Sequence, residues 1–357
     1  MPGFPSSDPQ SFDRVLSSMC TRPAPVAERA ARKFLGTNPG DPATFETAAD
    51  LEATVVTMLG EIVGLEDPSG YVTAGGTEAN LQAVRTARNR SKHDDPNVIA
   101  PDSAHFSLRK AAELLDVEVR FVETDSTHRA DPDAMAEAAD ERTALVFCVA
   151  GSTEYGRVDP IPELAALADS VDAHCHVDAA FGGFLLPFTD REWHFGHAGI
   201  DSMTIDPHKT GRAAVPAGGF LAREEATLEA LEVKTPYLAS EKQVSLGGTR
   251  SGAGVASAAA AIEALWPAGY RAAFERTMDL ADWIASELES RGYNVTPPTL
   301  PLVSWHPADG QFEALREAGW KIARTRSAAI RLVIMPHVTR SMLESFLADL
   351  DRLEREK

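Results

Sequence analysis

Three short stretches place reactive residue types where a site could form. The first, "SMTIDPHKTG", closes an apolar run on Asp206, His208 and Lys209. A lysine in a water-poor pocket loses its proton readily and can condense with a carbonyl compound as a Schiff base. The chain holds only eight lysines against 26 arginines, so one set beside a histidine at the end of an apolar run stands out, although a lone lysine is more often a surface residue. The second stretch, "HVDAAFGGF", ends another apolar run on Asp178, whose carboxylate could hold a positive charge on a ligand ring or cap a turn. In the third, "AGGTEAN", Gly75, Gly76 and Thr77 lead into a helical pattern. An amide-rich helix start with a hydroxyl suits a phosphate, and Gly-Gly-Thr ahead of a helix is also ordinary capping.

The elements that would carry these residues read as alternating strands and helices. Apolar positions Leu51, Val55, Val56, Met58, Leu59, Ile62 and Val63 recur at helical spacing. Short apolar runs at "NVIA", "VEVRFVE", "TALVFCVAG", "HCHVDAA", "SMTID" and "AGGFLA" read as strands, with helices such as "HFSLRKAAELL" and "IPELAALADSV" between them. This rhythm predicts an α/β fold with a mostly parallel sheet covered on both faces, and ligands on such sheets bind at the carboxyl ends of strands. After "GAGVASAAAAIEALW" the pattern changes to long helices and two short strands. The expected division is an arm over 1–45, a large domain over 46–257 and a smaller α+β domain over 258–357.

Composition narrows the function. With 53 acidic and 34 basic residues the formal charge is -19, which argues against nucleic-acid partners, since phosphate backbones need a basic footprint. An acidic, lysine-poor surface suits high salt, where self-repulsion is screened. No apolar run reaches the length of a membrane span and no leader pattern opens the chain, so a cytoplasmic protein is expected. Cys20, Cys148 and Cys175 fit a reducing compartment and show no metal spacing, and the apolar runs around Cys148 and Cys175 point to packing. His174 and His176 share a strand face without a third metal ligand in view, and His194 and His197 fall in an aromatic-rich loop.

The order of the stretches changes their meaning. Together with "VLSSMCTRPAP", "NPGDPATF", "GGTEANLQAVRTAR", "GSTEYGRVDPI", "YLASEKQ", "GGTRSGA" and "RLVIMPHVTR", they resemble the archaeal L-tyrosine/L-aspartate decarboxylase family, within the group II pyridoxal-phosphate-dependent decarboxylases. The resemblance runs along nearly the whole chain. It implies a fold-type I enzyme with a large cofactor domain, a small carboxyl-terminal domain and an active site at a homodimer interface. Lys209 would form the Schiff base with pyridoxal 5'-phosphate, and Asp178 would pair with the pyridine nitrogen. His105 would stack on the ring and assist proton handling, with Ala180 against the other face. Gly76, Thr77 and His208 would hold the phosphate, Asp206 would lie beside the cofactor and Thr153 near its oxygens, with Gly248 and Thr249 reaching the phosphate from a partner subunit. Arg331 would bind the substrate α-carboxylate as a bidentate pair.

A loop over about residues 233 to 246 would close over the site, with Tyr237 either a proton donor or a packing residue. The family divides between tyrosine and aspartate decarboxylation. The salt-adapted composition favours L-aspartate to β-alanine, a precursor of coenzyme A, with L-tyrosine and L-glutamate as alternatives. Arg22 or Arg250 would then meet the side-chain carboxylate. An aminotransferase or a desulfurase shares the fold, but a desulfurase needs a mobile cysteine.

Overall fold

The six short apolar runs pair, with one further strand, into one sheet. The computed structural model describes residues 11–355. Arg22–Arg271 form one compact unit; the described residues 11–21 and 272–355 form another. In the first unit the elements run α1 (Pro25–Lys33), α2 (Glu46–Ile62), β1 (Ser69–Tyr71), α3 (Gly76–Arg90), β2 (Asn97–Pro101), α4 (Ser107–Leu115), β3 (Glu118–Val122), α5 (Pro132–Ala138) and β4 (Thr143–Val149). They continue with α6 (Ile161–Ser170), β5 (His174–Asp178), β6 (Ser202–Ile205), β7 (Gly219–Ala222), α7 (Glu225–Glu229), β8 (Val233–Lys234), β9 (Lys242–Gln243) and α8 (Gly252–Leu265).

The strand order is β1-β7-β6-β5-β4-β2-β3. Strands β3, β2, β4, β5 and β6 are parallel, and β7 runs antiparallel to β6 and to β1. Strands β2 and β6 are buried throughout, as expected where both faces of a sheet are covered. On one face, Leu81 and Val84 of α3 and Leu108 and Ala111 of α4 pack on Val98, Leu145, Phe147 and Val149. Because strand side chains alternate, His174, His176 and Asp178 share one face of β5, with Cys175 and Val177 on the other. Chain order leaves β2 toward β3 on one side and β4 toward β5 and β6 on the other, and the crevice at such a reversal is where ligands bind. Register brings Val149, Asp178 and Thr204 level across β4, β5 and β6, so their carboxyl ends open at one place.

The second unit holds most of α9 (Ala268–Ser290), then β10 (Val295–Thr296), β11 (Leu302–Trp305), α10 (Gln311–Glu317), β12 (Ala323–Arg324), β13 (Ile330–Val333) and α11 (Arg340–Arg355). Its sheet is antiparallel, in the order β10-β11-β13-β12. Trp305 and Trp320 meet the Phe346 ring edge-on at 6.1 and 5.1 Å within a core that includes Leu16, Ile284 and Leu332.

Two expected boundaries move. The arm divides: Leu16 is buried in the small unit and bonded to Lys321 and Val333 through its backbone, whereas Ala24 and Ala27 pack on Ala261 of α8. That alanine contact keeps α8 with the large unit, so the division falls near residue 271 rather than 257. The short strands β1, β8, β9, β10 and β12 were not legible in the hydropathy pattern, because runs of two or three residues carry no period. Among the described residues, no helix is long and apolar enough to cross a membrane.

Candidate active site

The end of β6 delivers the lysine. Beyond Ile205 the chain turns through Asp206, Pro207, His208 and Lys209, and Asp206 is almost wholly buried. Lys209 Nζ lies 3.0 Å from Asp206 Oδ2, and His208 Nε2 lies 3.7 Å from the same oxygen. The His208 ring is held through Nδ1, 2.7 Å from the Ala217 carbonyl oxygen. Asp206 Oδ1 is buried without a hydrogen-bond partner in the protein.

Asp178, at the end of β5, is fixed on both oxygens. Asn80 Nδ2 donates to Oδ2 at 2.8 Å, and the Ala180 amide donates to Oδ1 at 3.0 Å. Facing it, α3 begins at Gly76 with no side chain capping its first turn. Gly75 has φ +146, a conformation that L side chains rarely adopt, and faces the His208 ring. A Cβ at Gly76 would lie 3.1 Å from both Ala180 Cβ and Asp206 Oδ2, so backbone and cavity wall approach closely there. Glu78 secures this turn by accepting from the Ala74 amide at 2.8 Å and the Tyr71 hydroxyl at 2.9 Å.

His105 follows β2, and its Nδ1 accepts from the Ser107 amide at 3.3 Å. Burial lowers its pKa below the usual imidazole value; the Asp178 charge pulls it back up, and the Lys209 charge pushes it down. The ring is therefore neutral at neutral pH. A cavity of about 600 Å³ joins Gly76, Thr77, His105, Thr153, Asp178, Ala180, Asp206, His208 and Lys209. An anion placed for a ring N–H, an amine for a carbonyl and an uncapped helix start for a phosphate all open on it. These features fit pyridoxal phosphate. Among the described residues no group of three His, Cys, Asp or Glu side chains is placed to hold a metal ion.

A family model described as "Pyridoxal-dependent decarboxylase conserved domain" matches residues 37–292. The chain belongs to the pyridoxal-dependent decarboxylase family. Its members are carboxy-lyases that work with pyridoxal phosphate. A Halobacterium salinarum protein named "Probable L-aspartate decarboxylase" is 61% identical over 345 residues, covering 97% of each chain. A Methanothrix thermoacetophila protein named "Probable L-tyrosine/L-aspartate decarboxylase" is 46% identical over 95% of this chain and 90% of its own. Among solved structures, glutamate decarboxylase from Lactobacillus brevis shares the fold with a TM-score of 0.87 at 21% identity, over 100% of this chain and 95% of that one.

Some of the expected residues are not among those lining this cavity. Tyr237 sits in the β8–β9 hairpin, 86% exposed and outside the cavity lining. Gly248 and Thr249 are also outside it, and the neighbouring Leu246 and Gly247 line it instead. Arg331 lies on β13 of the small unit, where its Nη2 donates to the Ser17 carbonyl at 3.0 Å. Arg250 is unavailable to a substrate, because both its terminal nitrogens bond Glu52. His194 and His197 form a stacked pair, rings 3.9 Å apart, in a loop. Sequence reasoning assigned no role to Asn80, Ser103, Phe106 or Gly151, which also line the cavity. Only Asn80 left a trace: a polar residue on the buried side of α3, four positions beyond Gly76.

Proposed function

We propose that the chain decarboxylates L-aspartate to β-alanine and carbon dioxide, a supply step for coenzyme A. The observation that carries the reaction type is the convergence of Lys209, Asp178 and the uncapped start of α3 on one cavity. When bound, the cofactor supplies an electron-accepting ring that takes up the pair released as carbon dioxide leaves. Asp178 holds a proton on the ring nitrogen, and the amides of Gly76 and Thr77, with His208, hold the phosphate. Asp206, 3.0 Å from Lys209 Nζ, would hold that amine in place for the cofactor's carbonyl carbon. Thr153 would lie near the cofactor oxygens, and Ala180 and His105 would bound its ring on the two faces. His105 is proposed to assist proton handling at the substrate α-carbon, donating only after it has itself taken up a proton.

Arg331 is proposed to take the α-carboxylate. Arg250 being committed to Glu52, Arg22 is the cation proposed for the β-carboxylate. The choice of aspartate rests on the name carried by the Halobacterium relative and on the acidic, lysine-poor composition. A homodimer is proposed from the resemblance, with support from Phe106 and Leu246, cavity-lining side chains that are 57% and 52% exposed. Gly248 and Thr249 are assigned to the cavity of the second copy, and the loop over about residues 233 to 246, with Tyr237, is assigned to close over the site.

Purified protein supplied with pyridoxal phosphate in molar salt is offered aspartate, tyrosine and glutamate separately, with no keto acid present. β-Alanine as the dominant amine is the expected product. Tyramine as the main product overturns the substrate, and absence of any amine overturns the decarboxylase reading.

A further inference from the structure

Behind Asp178 the sheet buries a line of polar side chains that the proposed reaction does not use. Asn80 Nδ2 donates to Asp178 Oδ2 at 2.8 Å and to Ser107 Oγ at 3.0 Å. A carboxylate accepts only, so the amide group of Asn80 must face Asp178 and its Oδ1 must face away. There Oδ1 accepts from Thr204 Oγ1 at 2.7 Å, and Thr204 Oγ1 lies 3.0 Å from His176 Nε2. Since the Thr204 hydroxyl proton is already committed, His176 must donate through Nε2, which also lies 3.3 Å from Asn80 Oδ1. Its bare Nδ1 then accepts from Ser202 Oγ at 2.8 Å, and Ser202 Oγ in turn accepts from His174 Nε2 at 2.8 Å.

Every bond in this line points the same way, from His174 toward the carboxylate, and dipoles aligned in series strengthen one another in a low-dielectric interior. His176 is fully buried, and burial drives its pKa well below the usual imidazole value, so the ring has one N–H and the polarity of the line is single-valued. Ser107 extends the arrangement on the other side, because its amide bonds His105 Nδ1.

We propose that Asn80 is a positioning residue, locked by Thr204 and His176 so that its carboxamide nitrogen meets Asp178 and aims that carboxylate at the ring nitrogen of a bound cofactor. The two histidines two apart on β5, which pattern alone could read as metal ligands, thus act as the fixed end of an orienting line. The proposal rests on the decarboxylase reading for the identity of the cofactor, though its central claim concerns the orientation of Asn80.

The test pairs Thr204→Val, which swaps the hydroxyl for a methyl of the same shape, with Thr204→Ser, which keeps the hydroxyl. Three quantities are read: the dissociation constant of pyridoxal phosphate from cofactor-free protein, the visible band of the loaded protein, and the kcat and KM of amine formation. Thr204→Val is expected to weaken cofactor binding by about tenfold, move the visible band and lower kcat with KM nearly unchanged, while Thr204→Ser stays within about twofold of the parent. Asn80→Asp, isosteric but with an acceptor facing Asp178, is expected to weaken cofactor binding further. If Thr204→Val and Thr204→Ser bind the cofactor and absorb as the parent does, the proposal is overturned. It is also overturned if both lose binding in parallel with a lower Tm of the cofactor-free protein, or if Asn80→Asp binds normally. Should no substrate be decarboxylated while the binding and spectral differences appear, the reaction assignment fails and the positioning role stands.

Discussion

Two buried ion pairs in the large unit show how differently the same chemistry can be deployed. Glu52 of α2 receives both terminal nitrogens of Arg250 and also the Val72 amide at 2.9 Å, while Arg250 bonds the Val72 carbonyl at 3.2 Å and lies over the Tyr71 ring. Both carboxylate oxygens and both terminal nitrogens are occupied, and Arg250 Nε is buried without a hydrogen-bond partner. Asp206 and Lys209 make one contact at 3.0 Å, and the second oxygen of Asp206 stays buried and unpartnered at a cavity. A closed pair braces α2, β1 and the segment before α8; an open pair is a site. Arginine suits the first role with its planar fork, and lysine the second with a single movable amine.

The largest effect tests the open pair. Lys209→Ala is expected to remove the visible absorbance of the loaded protein and lower amine formation at least about a thousandfold, leaving the cofactor-free Tm almost unchanged. A variant that keeps the band would break the contrast at its centre. The closed pair predicts the reverse pattern. Glu52→Gln strands the Arg250 charge in the interior and should cost about 3–5 kcal/mol of stability, read by denaturant unfolding, with kcat of the folded fraction close to the parent. If activity falls and stability does not, Arg250 belongs to the site after all. Asp206→Asn is expected to fall between them: a loss of about ten- to a hundredfold in kcat with a small change in Tm. Equal stability losses in Glu52→Gln and Asp206→Asn would erase the distinction.

The contrast also explains what the sequence made legible. Lys209, Asp178, Gly76 and Thr77 lie where strands end or a helix opens, positions that hydropathy marks, and all four line one cavity. The sheet itself was legible because β2, β4, β5 and β6 are unbroken apolar runs. Arg250 was misread because its partner, Glu52, lies 198 positions away in a helix whose pattern shows only its apolar stripe. Asn80 was passed over for a similar reason: its partners Asp178 and Thr204 are 98 and 124 positions distant, and pairing across parallel strands leaves no local spacing. The shift of α8 into the large unit depends on Ala24 and Ala27 meeting Ala261, a close fit that composition cannot reveal.

The smallest effect concerns the third polar group, the line through His174, which is closed like Glu52–Arg250 but uncharged. Burial lowers the His174 pKa to about 4, and Asp201, 3.8 Å away and 42% exposed, only partly opposes this. The unfolded chain binds a proton near pH 6.5 that the folded chain refuses until about pH 4, so the stability from neutral His174 is present above pH 6.5 and lost as the pH falls toward 4. At pH 5 the loss is about 2 kcal/mol, or roughly 4–8 °C in Tm for a unit of this size. His174→Gln cannot take up that proton. The fall in Tm of the cofactor-free protein between pH 7 and pH 5 should therefore be steeper in the parent than in His174→Gln. Parallel curves would mean that His174 is solvated or charged in the fold. The line behind Asp178 would then carry a mobile proton at its far end, and a closed, neutral bracing group would have to be redrawn as a second open one.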